Sequence, residues 1–188
     1  MIHSAKKQRK KPLAPADVIA RRIERIRSRA DWLHLIGRLL LIGALGWLFF
    51  TQVLLVTQAK GQNMFPAVKD GDLVIAYRLQ REYVKNDIVV CEIDGGQYIG
   101  RIVANSGDVV SIGDSGNLLI NNVTQGGEKV IYPTYAREPL TYPYKVPEGH
   151  VFLLGDYRTS AEDSRDFGPV PMEKVLGQVI TILRRREL

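Results

Sequence analysis

The chain has one cysteine and three histidines in 188 residues, and each scarcity closes off a class of function. A single thiol, Cys91, cannot form an intrachain disulfide, so the fold must hold together by packing. Within Val89-Val90-Cys91-Glu92-Ile93 it reads as a small core residue, with a reactive thiol as the alternative. His3, His34 and His150 lie far apart, without the Cys or carboxylate spacing of a metal site, so neither metal nor cofactor is expected. His150 precedes an apolar run and reads as structural. Positive charge is also missing from most of the chain. Residues 1–38 hold eleven Lys and Arg against three acidic residues, a net +8, while the remainder holds fifteen against seventeen, a net −2. The formal +6 therefore belongs to the N-terminal tail, and the folded part has no excess charge to attract nucleic acid.

What is abundant sits between Leu39 and Val56, eighteen residues without a charge, including Trp47, Phe49 and Phe50. As a helix this run is roughly 27 Å long, close to the hydrocarbon thickness of a bilayer. Leu33 to Ile36 can extend it, with Arg38 snorkelling to the headgroups. Thr51 and Gln52 are too few to make the polar face of a soluble core helix. Thr57-Gln58-Ala59 loosely fits a signal-peptide cleavage site, the alternative to a retained anchor. The apolar run is longer than the usual ~7–15 residues of a cleaved signal, and a long basic region precedes it. The expectation is a single span over residues 33–56, a basic tail and juxtamembrane helix over 1–32, and an extracytoplasmic domain over 57–188. Lys6, Lys7, Arg9, Lys10 and Lys11 put the tail on the cytoplasmic side by the positive-inside rule. Val18, Ile19, Ile23 and Ile26 recur at helical spacing among arginines, which suits a helix on the membrane surface or one that binds a cytosolic partner.

After the span the pattern changes to short β-rich runs between Gly, Asp, Asn and Pro turns. They are Leu73–Tyr77, Asp87–Ile93, Gln97–Val103, Asp108–Ile112, Leu118–Ile120, Lys129–Tyr132, His150–Leu154 and Val175–Leu183. With no helical period between them, these runs predict an all-β domain. Residues 128–147 carry four prolines and four tyrosines and read as a loop or edge excursion.

One loop stands apart. Gly155-Asp156-Tyr157-Arg158-Thr159-Ser160-Ala161-Glu162-Asp163-Ser164-Arg165-Asp166-Phe167-Gly168 mixes carboxylates and guanidiniums at the end of an apolar strand. Such a cluster is either a solvated turn or a set of paired, hydrogen-bonded ions in a partly buried loop. Gly-Asp-x-Arg followed by Asp-Ser-Arg and a glycine resembles the signature loop of the type I signal peptidases, membrane-bound Ser–Lys proteases. The stretch Gly61-Gln62-Asn63-Met64-Phe65-Pro66 with Gly71-Asp72 resembles the motif around their nucleophile. Tyr98-Ile99-Gly100-Arg101, followed by Gly107-Asp108, resembles their lysine motif. The resemblance covers about residues 35–180 and implies an antiparallel signal-peptidase-like β domain on an N-terminal transmembrane helix. It also marks Pro66, Gly155, Asp156, Arg158, Asp163, Ser164 and Arg165 as structural signature positions.

At the reactive positions the pattern breaks. Asn63 stands where the family has its nucleophilic serine, Gly100 where it has its lysine, and Ala161 where it often has a serine supporting that lysine. Tyr157 replaces the usual Asn of the signature loop. A carboxamide is not a useful nucleophile and glycine has no base, and losing members of such a unit costs about 10⁴–10⁶ in rate. Ser106, Ser160 and Ser164, with Lys60 and Lys69, are the nearby groups that could substitute. The resemblance thus implies no catalytic residue and a groove that holds an extended peptide, with Gln62, Asn63, Met64, Phe65 and Gly100 as its lining. Met64 and Phe65 face peptide or membrane in this reading, or pack in the core. The chain is similar to degenerate Gram-positive members of the family that assist sortase-linked pilus assembly. That similarity implies pilin or other exported subunits, the sortase machinery and the lipid bilayer as partners; an active, divergent signal peptidase is the alternative.

Overall fold

The computed structural model describes residues 15–125 and 132–184, with the side chains of 15–18 and 20–30 left aside. The basic cluster at 6–11, the side chains of the arginine-rich amphipathic stretch other than Ile19, and 129–131 of one expected strand lie outside the described residues. The chain divides into two compact units, residues 1–49 and 50–188.

Among its described residues the first unit is helical. Helix α1 runs without a break over Pro15–Val53, so no change of structure marks a boundary at residue 32. Asp31–Val53, 23 residues of mean hydropathy 1.8, is long and apolar enough to cross a membrane. Its side chains are exposed, Trp47 at 72% and Leu40 at 68%. The expected span reached Val56, but Leu54–Gln58 forms strand β1 instead. A short apolar run at a helix end carries no period of its own, so only its pairing partner decides between helix and strand. That partner is β2 (Leu73–Tyr77), against which Leu54 to Gln58 pair antiparallel.

Among its described residues the second unit is mainly β. It continues with β3 (Ile88–Ile93), β4 (Gly96–Ala104), β5 (Val109–Ile112), β6 (Leu118–Ile120), β7 (Val123–Thr124), β8 (Tyr144–Lys145) and β9 (His150–Leu154). A single turn of helix, α2 (Ser164–Phe167), is followed by β10 (Val170–Pro171) and β11 (Val175–Leu183). The large sheet has the order β1-β2-β11-β3-β4-β9-β10, and a small sheet has the order β7-β6-β5-β8. Every pairing is antiparallel.

The apolar runs without alternation turn out to be strands packed on both faces. In β3, Val89 and Cys91 join Tyr83, Ile102, Val151, Leu153 and Val170 in one cluster. Val90, on the opposite face, joins Ala59, Met64, Val68, Val74 and Ala76 in another. In β9, Val151 and Leu153 face the first cluster, while Phe152 and Leu154 face a third with Val110, Leu118 and Ile120. Tyr132 is outside the strands, and the proline-rich stretch beyond it contributes only the two residues of β8.

Cys91 is fully buried and its Sγ lies 3.6 Å from the Tyr98 carbonyl. Burial pushes the thiol from 9.0 up to about 12. The folded chain therefore keeps a proton that the unfolded chain releases above pH 9, so this stabilisation is complete below about pH 9 and is lost toward pH 12. We expect Cys91→Val to flatten the alkaline fall in unfolding free energy by up to about 1.4 kcal/mol per pH unit. Urea titrations of both proteins across that interval measure it, and identical slopes would count against a buried, protonated thiol.

Candidate functional site

The loop after β9 is held by buried ions. Asp163 caps α2 and accepts from the Arg165 backbone N–H at 3.1 Å and from Gly155 N–H at 3.1 Å. Its two oxygens also take a bidentate guanidinium, Arg165 Nε and Nη2, both at 2.8 Å. Arg165 spends its remaining donors on the carbonyls of Arg158 (2.6 Å) and Tyr135 (3.2 Å). Both side chains are at most 1% exposed. A second bidentate pair, Arg101 to Asp156 at 2.7 and 2.6 Å, ties the loop to β4. Ser164 Oγ accepts from Leu153 N–H at 2.9 Å, which fixes α2 against β9. Arg158 donates to Thr134 Oγ1 at 3.1 Å, and its Nε finds no partner among the described residues. Burial lowers its pKa to about 10 despite the opposing pull of Asp156. The cluster is therefore a buried, paired network and not a solvated turn.

This loop positions the residues at the nucleophile motif. The Asn63 carbonyl accepts from Tyr157 N–H at 3.0 Å. A side chain at Gly155 would run into Ala161 Cβ and the Asn63 carbonyl, so only glycine lets the two segments meet. Ala161 is fully buried there, and its carbonyl accepts from Arg137 at 2.7 Å. Pro66 follows in the same turn, half-buried. Asn63 lines a cleft of about 100 Å³ between the end of β1, the loop after it and the start of β4. Thr57, Lys60, Met64, Gln97 and Tyr98 are among its other walls. Gln62 and Phe65 line a neighbouring hollow instead.

Of the other two expected lining residues, Met64 is a wall of the cleft as well as a core residue, and Gly100 is in neither opening. Met64 is 3% exposed, packs with Val68, Val74 and Val90, and also lines the cleft. Its thioether is core, because the 64–68 turn, closed by Val68 N–H to the Met64 carbonyl at 2.9 Å, directs it inward. Gly100 was expected to leave space in the groove, and it does not line the cleft at all. It is buried under the Tyr98 ring, whose Cε1 lies 2.7 Å from where a Cβ would stand at position 100. The two residues are on one face of β4, so removing the side chain at 100 lets the ring at 98 lie down over it. Tyr98 then packs edge-on against Phe167, ring centres 5.4 Å apart, with its hydroxyl buried and without a hydrogen-bond partner among the described residues. Burial, reinforced by Asp163, raises its pKa.

No serine shares the cleft with Lys60 among the described residues. Ser164 is committed to Leu153, Ser106 donates to the His150 carbonyl at 3.1 Å, and Ser160 is exposed on the loop. Lys69 lines the neighbouring hollow. The aliphatic hydroxyl among the walls of the cleft is that of Thr57, which donates to Gln97 Oε1. Sequence reasoning passed over Thr57 and Gln97, because they lie 40 residues apart and meet only when the sheet curls. Among the described residues no cluster of three His, Cys, Asp or Glu is arranged to hold a metal ion.

Because Asp163 serves the cap, Gly155 and Arg165 together, Asp163→Ala leaves a buried guanidinium unpaired. The expected loss is about 3–5 kcal/mol of unfolding free energy, whereas Thr159→Ala on the exposed part of the loop stays within about 0.5 kcal/mol. Denaturant unfolding of the detergent-solubilised chain reads both values, and a loss at 163 no larger than that at 159 would refute the role.

A family model and several known proteins match this chain. Residues 29–183 match the family described as signal peptidase, peptidase S26. The chain is 36% identical over 132 residues to a probable thylakoidal processing peptidase 2 of Arabidopsis thaliana, covering 63% of this chain and 35% of that one. The match thus spans about a third of that relative's length. It is 33% identical over 138 residues to signal peptidase I of Bacillus licheniformis, covering 63% of this chain and 70% of the relative. A crystal structure of a signal peptidase I from Enterococcus faecalis V583 aligns with a TM-score of 0.46 at 28% identity, over 53% of this chain and 97% of that one. With the match spanning both the apolar helix and the buried ionic loop, the chain belongs to the signal peptidase family, peptidase S26.

Proposed function

We propose that this member of the family does not cut. It is anchored by α1 with the basic tail on the cytoplasmic side, and it holds an extended segment of an exported protein in the cleft beside Asn63. The observation that carries the reading is the pair of reactive positions. Asn63 offers a carboxamide where the family has its hydroxyl, and the place of the lysine is covered by the Tyr98 ring. A cleft bordered by the end of β1 and the start of β4 can still take a peptide strand through main-chain hydrogen bonds, which need no nucleophile. The Asn63 carboxamide both donates and accepts, so it suits a peptide backbone. The partner that the family resemblance suggests is a pilin subunit awaiting sortase-linked assembly.

A second reading keeps proteolysis, because one hydroxyl and one amine, Thr57 and Lys60, do line the same cleft. Thr57 is engaged with Gln97 and Lys60 is exposed, whereas a base for this chemistry has to be held neutral by burial.

The discriminating experiment incubates the full chain, in detergent or nanodiscs, with a fluorogenic signal-peptide substrate. We expect no turnover, and none from Asn63→Ser alone. Turnover abolished by Thr57→Val would establish the second reading and reject the first. In a pilus-bearing host, removal of the chain is expected to reduce pilus polymerisation, and equal yield with and without it would discard the pilin as partner.

A further inference from the structure

Next to the cleft, across the turn that carries Asn63, lies a larger and open hollow of about 420 Å³. Its walls are Gln62, Phe65, Lys69, Asp70, Tyr132 and Tyr157. Three aromatic rings form most of the apolar part. Tyr132 and Tyr157 have ring centres 4.9 Å apart at 60°, and Phe65 meets Tyr157 edge-on at 6.3 Å and 68°. None of the three belongs to the buried clusters that hold the sheets together, and Phe65 is 37% exposed. Structural packing therefore does not account for bringing them together.

The rim is charged in one particular way. Asp70 is partly engaged, since its Oδ1 accepts from Gly61 N–H at 2.7 Å. Lys69 is exposed and forms no ion pair among the described residues. The hollow thus offers ring faces and edges beside an ammonium that is available to an anion. It is also continuous with the cleft along the chain: Gly61 and Asn63 line the cleft, and Gln62 between them lines the hollow. A strand laid along that turn advances about 3.3 Å per residue, so a single bound segment passes from one to the other. The central ring comes from Tyr157, whose backbone N–H does the structural work of holding Asn63, which leaves its side chain free for another role.

We propose that this hollow is a second peptide subsite, which takes an aromatic side chain of an exported polypeptide carrying a carboxylate one or two residues away. Tilted rings receive a further ring in edge-to-face or offset contact at centre distances of about 4.5–7 Å. The carboxylate meets Lys69. The inference rests on the peptide-holding reading given above and adds the sequence that is preferred.

The test uses the full chain in nanodiscs and short labelled peptides of one extended background, followed by fluorescence anisotropy. Three peptides differ only in the segment placed for the hollow: Trp-Ala-Glu, Ala-Ala-Glu and Trp-Ala-Lys. The Trp-Ala-Glu peptide is expected to bind about tenfold more tightly than Ala-Ala-Glu, as two ring contacts allow. Tyr157→Asn and Tyr132→Ala should remove that preference, so that the Trp-Ala-Glu and Ala-Ala-Glu peptides bind each variant equally. Asn is the usual family residue at that loop position, so the first variant keeps the loop. Lys69→Glu should invert the preference between the Glu and Lys peptides. Equal affinity for Trp and Ala peptides, with both still bound, overturns the aromatic subsite and leaves the peptide-holding reading standing. Failure of all three peptides to bind overturns both.

Discussion

Asp163 is the group around which the loop after β9 is arranged. Its carboxylate caps α2, receives Gly155 at the end of β9 and binds Arg165 through both oxygens. Arg165 in turn reaches the carbonyls of Arg158 and Tyr135. Burying these two ions takes them out of water, and the cost is offset only because nearly every donor and acceptor is matched. A network of this kind tolerates little change, since removing one member strands the others. It fixes where the loop runs, and the loop fixes Asn63 through Tyr157.

None of that network uses a hydroxyl at 63 or an amine at 100. The Asn63 contact to the loop is made by its backbone carbonyl, and β4 pairs with β3 through main-chain bonds on either side of Gly100. The scaffold and the reactive groups are therefore energetically separable. The ionic loop of Asp156, Asp163, Ser164 and Arg165 thus holds together without a contribution from the side chains at 63 and 100.

Much of this was legible in the residues, and for identifiable reasons. Strands Leu73–Tyr77, Leu118–Ile120, His150–Leu154 and Val175–Leu183 were bounded by turn residues and matched their final limits. Strand β1 was not, because it continues an apolar run with no punctuation, and its identity depends on β2. The ions of the signature loop could be read as paired, but not which guanidinium went to which carboxylate: Asp156 takes Arg101 from 55 residues away. Met64 can be read from its motif as groove or as core, and it is both, packed in the cluster with Val90 while lining the cleft. Tyr98 was read only as a matching motif position. Its contact with Gly100 depends on two side chains of one strand face, and no pattern in the sequence reports which way a ring falls.

That ring occupies the space beside Gly100 on the face of β4. An empty place on a strand face is an exposed apolar pocket, and neighbouring side chains move to fill it if their rotamers allow. Tyr98 does so here, at the expense of a buried hydroxyl without a partner among the described residues. The orphan hydroxyl costs about 1–3 kcal/mol of desolvation, comparable to the ring burial and the edge-on contact with Phe167 that oppose it. Position 100 and position 98 are thereby coupled: any side chain restored at 100 must first lift the ring, because its Cβ would stand 2.7 Å from Tyr98 Cε1. The strand face at 98 and 100 is thus a packed one, and the cleft along Asn63 lies beside it.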